Sequence, residues 1–169
     1  TILERGMEAG VVEDAVIADS LDHRASFWQI RDFINPAQKF EGGSIKHDIS
    51  VPVAAVPEFI ARATEGVVRL MPGAIPVAFG HLGDGNIHFN LTQPPGADRD
   101  QFLARWHEVN DVVHGVAMSF GGSISAEHGI GFMKHDELPH VKDKVAMELI
   151  RTLKTTLDPL NILNPGKVV

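Results

Sequence analysis

The sequence predicts an α+β fold in which helices cover one side of an antiparallel sheet. Three observations lead to this prediction. Several segments carry apolar residues at helical spacing, other segments alternate apolar and polar residues, and an Asp-Gly pair separates two of the strand-like segments. Helices that alternate with hairpin-connected strands are typical of an antiparallel sheet with helices packed on one face. The chain has 169 residues, 44% of them hydrophobic, which suffices for one core.

The first third of the chain is predicted to hold two helices and two strands. A helix ends before Gly10, and a short apolar strand follows at residues 11–18. Asp19 or Ser20 caps the next helix, which stops before Pro36. Residues 42–53 alternate strictly, with Ile45, His47, Ile49 and Val51 on one face and Ser44, Lys46, Asp48 and Ser50 on the other. This alternation predicts a half-buried strand.

The rest of the chain is predicted to add a hairpin between helices. Pro57 opens a helix that Pro72-Gly73 closes, and the segments "AIPVAFGHL" and "NIHFNLTQ" flank Asp84-Gly85. Apolar residues at helical spacing then predict a helix over residues 102–120, ended by Gly121-Gly122. A last amphipathic helix covers residues 141–157, before Pro159.

Composition narrows the classes of function. The chain carries 15 lysines and arginines against 22 acidic residues, without a basic run, so nucleic acid and anionic membranes are not expected partners. No apolar run approaches the ~20 residues that span a bilayer. The absence of cysteine excludes disulfides, thiolate catalysis and iron–sulfur clusters. We expect a cytoplasmic protein, or a mitochondrial one in a eukaryote, and the start at Thr1 suggests a piece of a longer protein.

The hairpin "GHLGDGNIHFN" is a candidate metal site. If Asp84-Gly85 form a two-residue turn, His81 and His88 become directly opposed cross-strand partners, with Cβ atoms about 4.5–5.5 Å apart on one face. Two imidazoles in this arrangement could reach one ion at ~2.0–2.1 Å. Asn90 would share their face, while Leu82, Ile87 and Phe89 would face the core.

A third ligand is needed, and "SAEHGIG" offers Glu127 beside His128 among small residues. Two histidines and one carboxylate suit zinc, manganese or ferrous ion with positions open for substrate. The alternative is that histidines flanking an Asp-Gly turn are incidental. His47, which alternates with isoleucines, is predicted to be a core histidine with its polar atoms satisfied.

Three motifs in order resemble the C-terminal domain of FAD-linked oxidases. They are "FGHLGDGNIHFNL", "GGSISAEHGIGFMK" and "LKTTLDPLNILNPGKV". These flavoproteins of the vanillyl-alcohol-oxidase-like superfamily include D-lactate dehydrogenases, the flavoprotein component of glycolate oxidase and D-2-hydroxyglutarate dehydrogenases. The match extends from about Trp28 to Val169. It implies a ferredoxin-like sheet that closes over a flavin bound by an N-terminal domain absent from this chain, with residues 1–169 forming part of a single substrate- and metal-binding domain.

The resemblance implies roles for individual residues. His81, His88 and Glu127 match the family's metal ligands, usually zinc or another divalent ion, and His128 matches the proposed general base. Further matches are Arg31 and Lys46 for the substrate carboxylate, Asn90 for the substrate hydroxyl and Asn164 for a position near the flavin. The substrate would be a small 2-hydroxy acid, oxidised to a 2-oxo acid. Asn35 departs from the pattern, because 2-hydroxyglutarate-type members often carry Thr there.

Each carried-over residue has a plainer interpretation. Arg31 could satisfy helix C-terminal carbonyls, Lys46 could form a solvated ion pair with Asp48, and Asn164 could simply end a helical region. The whole chain has two further interpretations. One is a zinc-dependent hydrolase that needs no flavin, and the other is a non-catalytic module that binds a ligand or dimerises. Without the FAD-binding domain, the fragment is expected to lack turnover and to self-associate as a homodimer through exposed apolar surface.

Overall fold

The computed structural model describes residues 1–81 and 83–169, which fall into two compact units. The first unit, Thr1–Phe40, holds two helices, α1 (Ile2–Glu8) and α2 (Leu21–Gln38). Thr1 forms a capping box with Glu4 at the start of α1, and the Ser20 side chain accepts the N–H of His23 at the start of α2. These caps satisfy backbone N–H groups that a helix leaves unpaired at its N-terminus.

The second unit, Glu41–Val169, is built on a three-stranded antiparallel sheet. Its strands are β1 (Ser44–Ser50), β2 (Ile75–His81) and β3 (Asn86–Thr92), in the order β1-β3-β2. Its helices are α3 (Val56–Leu70), α4 (Arg99–Ala104), α5 (Trp106–Ser119), α6 (Leu138–Val141) and α7 (Lys144–Leu157). Short 3-10 helices occupy Lys39–Glu41 and Val53–Ala55.

The core lies between one face of the sheet and helices α3 and α5. The side chains that fill it from the sheet alternate along the strands, and the fully buried ones include Ile49, Phe89 and Leu91. The ring of Phe59 on α3 meets the ring of Phe89 edge-on at 5.8 Å. This arrangement confirms the predicted α+β fold with an antiparallel sheet and helices packed on its core face. The ferredoxin-like detail stays a prediction.

Several element boundaries differ from the prediction. Residues 11–18 form no strand, and the helix expected over residues 102–120 is divided into α4 and α5 at Arg105. The last long helix begins at Lys144 because the Asp143 side chain accepts the N–H groups of Val145 and Ala146. None of the helices within residues 1–81 and 83–169 combines the length and apolar character needed to cross a bilayer.

The hairpin register also differs from the prediction. His81 pairs with Asn86, so Phe79 and not His81 stands opposite His88. Asp84 accepts the N–H of Asn86 with its own side chain at 3.0 Å, and the Gly85 carbonyl accepts the N–H of Val51 at 3.1 Å. These two bonds draw the turn toward the end of β1 and widen it beyond two residues. The predicted placement of Leu82 lies outside the described residues, whereas Ile87 and Phe89 are buried as predicted.

Candidate functional site

The sheet face opposite the core carries a cluster of polar side chains. In the β1–β3 register Asp48 stands opposite His88, and Lys46 stands opposite Asn90. Because side chains two residues apart on a strand share a face, these four lie on the same side of the sheet. The predicted assignment of Lys46 and Asp48 to the face away from Ile45, His47 and Ile49 is therefore confirmed.

The loop after α5 brings Glu127 and His128 to this face. Glu127 Oε1 lies 3.0 Å from His88 Nε2 and 4.0 Å from His128 Nε2. The rings of His88 and His128 stack with centroids 5.5 Å apart and an interplanar angle of 21°. The two histidines and one carboxylate that the sequence singled out at positions 88, 127 and 128 thus converge, although they are far apart in the chain.

Asp48 completes this group, and the sequence prediction missed it as a site residue. One ligand atom from each of Asp48, His88, Glu127 and His128 lies within 4.8 Å of the others. Asp48 is only 3% exposed, whereas Glu127 and His128 are exposed. The only sequence signal for Asp48 was its place on the same strand face as Lys46, two residues away, which by itself predicts a solvated side chain.

Backbone N–H groups surround the Asp48 carboxylate. They come from Ala126 at 3.1 Å, Glu127 at 3.1 Å and His128 at 2.8 Å. Burial alone would raise the pKa of Asp48, but the bonds from His128 and Glu127 and the charges of His128 and Lys134 outweigh it. The pKa of Asp48 is therefore held below its ordinary value, and the group is a carboxylate at neutral pH.

Lys134 bonds to the backbone of the same loop and of β1. Its ammonium donates to the carbonyl of Ile124 at 2.5 Å and to that of Asp48 at 3.4 Å. Burial lowers the pKa of Lys134, and the negative charges of Asp48 and Glu137 offset part of that effect. Two side chains thus bond the loop that bears Glu127 and His128 to β1: Asp48 on the strand accepts from the loop, and Lys134 donates to the strand and to the loop.

A buried polar network lies on the core side of β1. His47 Nδ1 donates to the Phe89 carbonyl at 2.7 Å, and His47 Nε2 lies 3.0 Å from the Asn110 side-chain oxygen. The prediction that His47 lies in the core is confirmed, and each of its ring nitrogens has a polar neighbour. Its ring meets that of His114 edge-on at 5.4 Å, and His114 pairs with Glu137. Burial would raise the pKa of Glu137, but the bond from His114 outweighs it and the pKa is lowered.

His81, the other predicted metal ligand, lies near the group without belonging to it. It is exposed at the end of β2, one diagonal step from His88 on the same face, with ring centroids 6.3 Å apart. The directly opposed histidine pair that the Asp-Gly turn predicted is wrong, because the register shift places His81 beside Asn86. The sheet nevertheless keeps both histidines on the site face.

The remaining predicted residues have different environments. Asn90 is 2% exposed and lies next to His88 on the site face, and Lys46 is exposed opposite it. Arg31 and Asn35 lie on α2 in the first unit, Thr1–Phe40. Asn164 is in the C-terminal segment with a left-handed backbone, φ 49°, and its carbonyl accepts the N–H of Lys167.

The donor set on the sheet face fits a divalent metal ion. Imidazole nitrogens and carboxylate oxygens are common ligands of zinc, manganese and ferrous ion. Two ligands of one such ion, each at about 2.0–2.2 Å from it, lie roughly 3–4 Å apart. The separations of 3.0 and 4.0 Å from Glu127 to His88 and to His128 fall in that range. The chemistry of the group therefore suits a metal with open positions, without selecting which metal.

Comparison with known proteins gives a consistent result. A family model described as FAD linked oxidases, C-terminal domain, matches residues 1–168, further toward the N-terminus than the motifs indicated. A D-2-hydroxyglutarate dehydrogenase of Stutzerimonas stutzeri is 36% identical over 165 residues, covering 98% of this chain and 35% of the relative. The mitochondrial D-2-hydroxyglutarate dehydrogenase of Arabidopsis thaliana is 37% identical over 167 residues, 99% of this chain and 28% of the relative. The chain thus spans about a third of the length of these relatives.

Proposed function

Because the chain belongs to the family of C-terminal domains of FAD-linked oxidases, we propose that residues 1–169 form the substrate- and metal-binding domain of an FAD-dependent enzyme that oxidises a D-2-hydroxy acid to a 2-oxo acid. The observation that carries the proposal is the convergence of His88, Glu127 and His128, with His88 Nε2 3.0 Å from Glu127 Oε1. The FAD-binding domain would be the partner of this chain. The enzyme would work in the cytoplasm, or in mitochondria in a eukaryote.

The proposed metal ligands are His81, His88 and Glu127, with zinc as the first candidate. When bound, a divalent ion supplies Lewis-acid polarisation of the substrate's hydroxyl and carboxylate oxygens. His88 and Glu127 already lie within reach of a common ion, and His81 shares their sheet face. The assignment of His81 rests on the family motif. That of His88 and Glu127 is supported by both the motif and the distance between them.

The protein side chains would bind the substrate and move its proton. His128 accepts the proton of the α-hydroxyl, a role suited to an imidazole, which is the commonest general base in enzymes. Lys46 binds the substrate carboxylate. The family motif assigns Arg31 to carboxylate binding as well, a role suited to a planar guanidinium that can donate two parallel hydrogen bonds. Asn90 holds the hydroxyl. The bound flavin, near Asn164, supplies the acceptor for the hydride from the same carbon. Loss of that hydride and of the hydroxyl proton converts the alcohol to a carbonyl.

The relatives suggest which acids to test first. They are named D-2-hydroxyglutarate dehydrogenases, and D-2-hydroxyglutarate carries a second carboxylate that D-lactate lacks. Asn35 stands where members of that type often carry Thr. This chain therefore differs from them at the residue expected to contact the second carboxylate. We therefore propose the D-2-hydroxy acid class as the substrate. Anaerobic flavin reduction by D-2-hydroxyglutarate and by D-lactate, with the FAD-binding domain present, tests that class.

Elemental analysis of the purified protein tests the metal site. We expect a stoichiometric divalent ion in the wild type. We expect His88→Ala to lose the ion, because alanine lacks the imidazole nitrogen that lies beside the Glu127 carboxylate. His140→Ala is the matched control, since His140 is exposed on α6 and outside the cluster. Wild-type protein that takes up no ion, even with added zinc and a 2-hydroxy acid, would contradict the metal site. A bound ion without flavin reduction would instead favour the hydrolase.

A further inference from the structure

One oxygen of the Asp48 carboxylate, Oδ2, accepts several hydrogen bonds from one short loop. Its Oδ2 accepts three consecutive backbone N–H groups, those of residues 126, 127 and 128, at 3.1, 3.1 and 2.8 Å. The Ser125 hydroxyl adds a longer bond at 3.3 Å. Successive N–H groups that converge on one anion form an anion-binding concavity, and hydrogen bonds to a charged acceptor are stronger than neutral ones. Asp48 thus acts as the anion of a site that the loop itself provides.

This use of the carboxylate argues against Oδ2 of Asp48 as a donor to a metal ion. A ligand must offer a lone pair to the ion, and the lone pairs of Oδ2 are already directed at four donors, while Oδ1 accepts only a longer bond, from the Glu127 N–H at 3.3 Å. Asp48 is buried, whereas the neighbouring Glu127 and His128 are exposed. The same short stretch therefore presents its backbone to Asp48 and its side chains to the open face of the sheet.

The rest of the loop is fixed to the same strand. Ser50 and Ser123 exchange both backbone hydrogen bonds, at 3.1 and 2.8 Å, just before the bonded stretch. The Ala126 N–H also lies 3.3 Å from the Asp48 carbonyl. Gly122 packs so closely that an added Cβ would lie 2.2 Å from the Ser50 carbonyl oxygen. The loop and the strand are in backbone contact at these residues. The Asp48 bonds therefore fix the position of the loop backbone at Glu127 and His128 relative to the sheet.

We propose that Asp48 is a positioning residue, whose carboxylate binds the backbone N–H groups of residues 126–128 and so holds Glu127 and His128 in reach of His88. Its consequence for metal binding rests on the proposed function, but the anchoring of the loop does not. In metal sites, removal of a group that orients a ligand typically lowers metal affinity roughly 10–100-fold. Asp48 would act through the backbone of the ligand-bearing loop and not through an imidazole.

Amide hydrogen exchange and ring contacts test the anchor without metal. In the wild-type protein we expect the amides of residues 126–128 to be protected, and nuclear Overhauser contacts between the rings of His88 and His128. Asp48→Asn replaces one acceptor oxygen by a donor, so these amides should exchange faster and the ring contacts should weaken. Asp136→Asn is the control, because that acid is fully exposed in the same loop region. Unprotected wild-type amides, or unchanged ring contacts in Asp48→Asn, would overturn the proposal.

Titration with Co²⁺ or Zn²⁺ alone tests the consequence for the ligands. We expect Asp48→Asn to bind either ion roughly 10–100-fold more weakly than wild type, while the absorption spectrum of the Co²⁺ that does bind is unchanged. An altered Co²⁺ spectrum in a variant whose amides at residues 126–128 stay protected would show that Asp48 is itself a ligand and would overturn the proposal. Lower thermal stability with unchanged metal affinity would reduce Asp48 to a structural residue. If the wild type binds neither ion, the proposed metal site fails, and the exchange and ring-contact measurements still decide the anchor.

Discussion

His47 is held in its neutral form by the core around it. Burial lowers its pKa to about 4, and the positive charges of His114 and Lys134 act in the same direction. The bonds to Phe89 and Asn110 oppose this effect but do not reverse it. A neutral imidazole therefore occupies the space beneath the site strand, with one nitrogen donating to the backbone of β3.

This burial predicts a loss of stability in acid. The unfolded chain binds a proton at His47 near the ordinary pKa of 6.5, whereas the folded protein does so only near pH 4. As the pH falls through that window the unfolded state binds more protons, so the free energy of unfolding decreases, by about 3 kcal/mol at most. His47→Gln should remove this part of the slope in urea unfolding measured at a series of pH values, whereas His140→Gln should retain it. A slope unchanged by His47→Gln would contradict the prediction.

The sequence could predict the chemistry of these residues better than their surroundings. Alternation along β1 correctly assigned His47 to the core and Lys46 with Asp48 to the other face. It could not distinguish exposed Lys46 from buried Asp48, because a loop from some eighty residues further along the chain covers only Asp48. Burial on a sheet face depends on such long-range contacts, which periodicity does not contain.

The hairpin between β2 and β3 shows how a tertiary contact shapes an element. Gly85 has φ 74°, a left-handed conformation, and an added Cβ would lie 2.0 Å from the carbonyl oxygen of Val51. Its own carbonyl accepts the Val51 N–H. The turn is therefore packed against the end of β1, where only a residue without a side chain fits.

Alanine substitutions at two glycines of this turn test whether the close packing of Gly85 matters for stability. Gly85→Ala must accept both a positive φ and a backbone clash, so we expect it to destabilise the protein by about 1–3 kcal/mol or more. Gly83→Ala is the matched control two residues away, because its φ is not positive and no described atom lies within 4 Å of an added Cβ. Urea unfolding midpoints measure both. Equal midpoints for the two variants would contradict this account of the turn.

Local sequence signals predicted which helices and strands form better than they predicted the register of the strands. The Asp84-Gly85 pair correctly predicted a hairpin, and the strand at Ser44–Ser50 and the helices α3, α5 and α7 were also predicted from periodicity. The register was wrong because the bond from Val51 to Gly85 is absent from any local pattern. The expected strand at residues 11–18 failed because apolar residues there have no neighbouring strand among the described residues.

Helix α7 exposes a row of apolar side chains on its surface. Val145, Leu149, Leu153 and Leu157 recur every four residues and are between 59% and 75% exposed. Leu160, Ile162 and Leu163 continue the exposed apolar surface beyond the helix. Contiguous apolar surface of this kind marks a contact region in a soluble protein.

We therefore expect the chain alone to self-associate through the α7 stripe. Burying a leucine side chain contributes about 1.5–3 kcal/mol, so pairing of two stripes would repay the loss of freedom on association only if several leucines take part. Leu149→Lys combined with Leu153→Lys should shift the protein to the monomer in sedimentation velocity and light scattering. Glu148→Lys, on an exposed position of the same helix, controls for added positive charge and should leave association unchanged. A monomeric wild type, or association that survives the double substitution, would show that the stripe does not drive contact between copies.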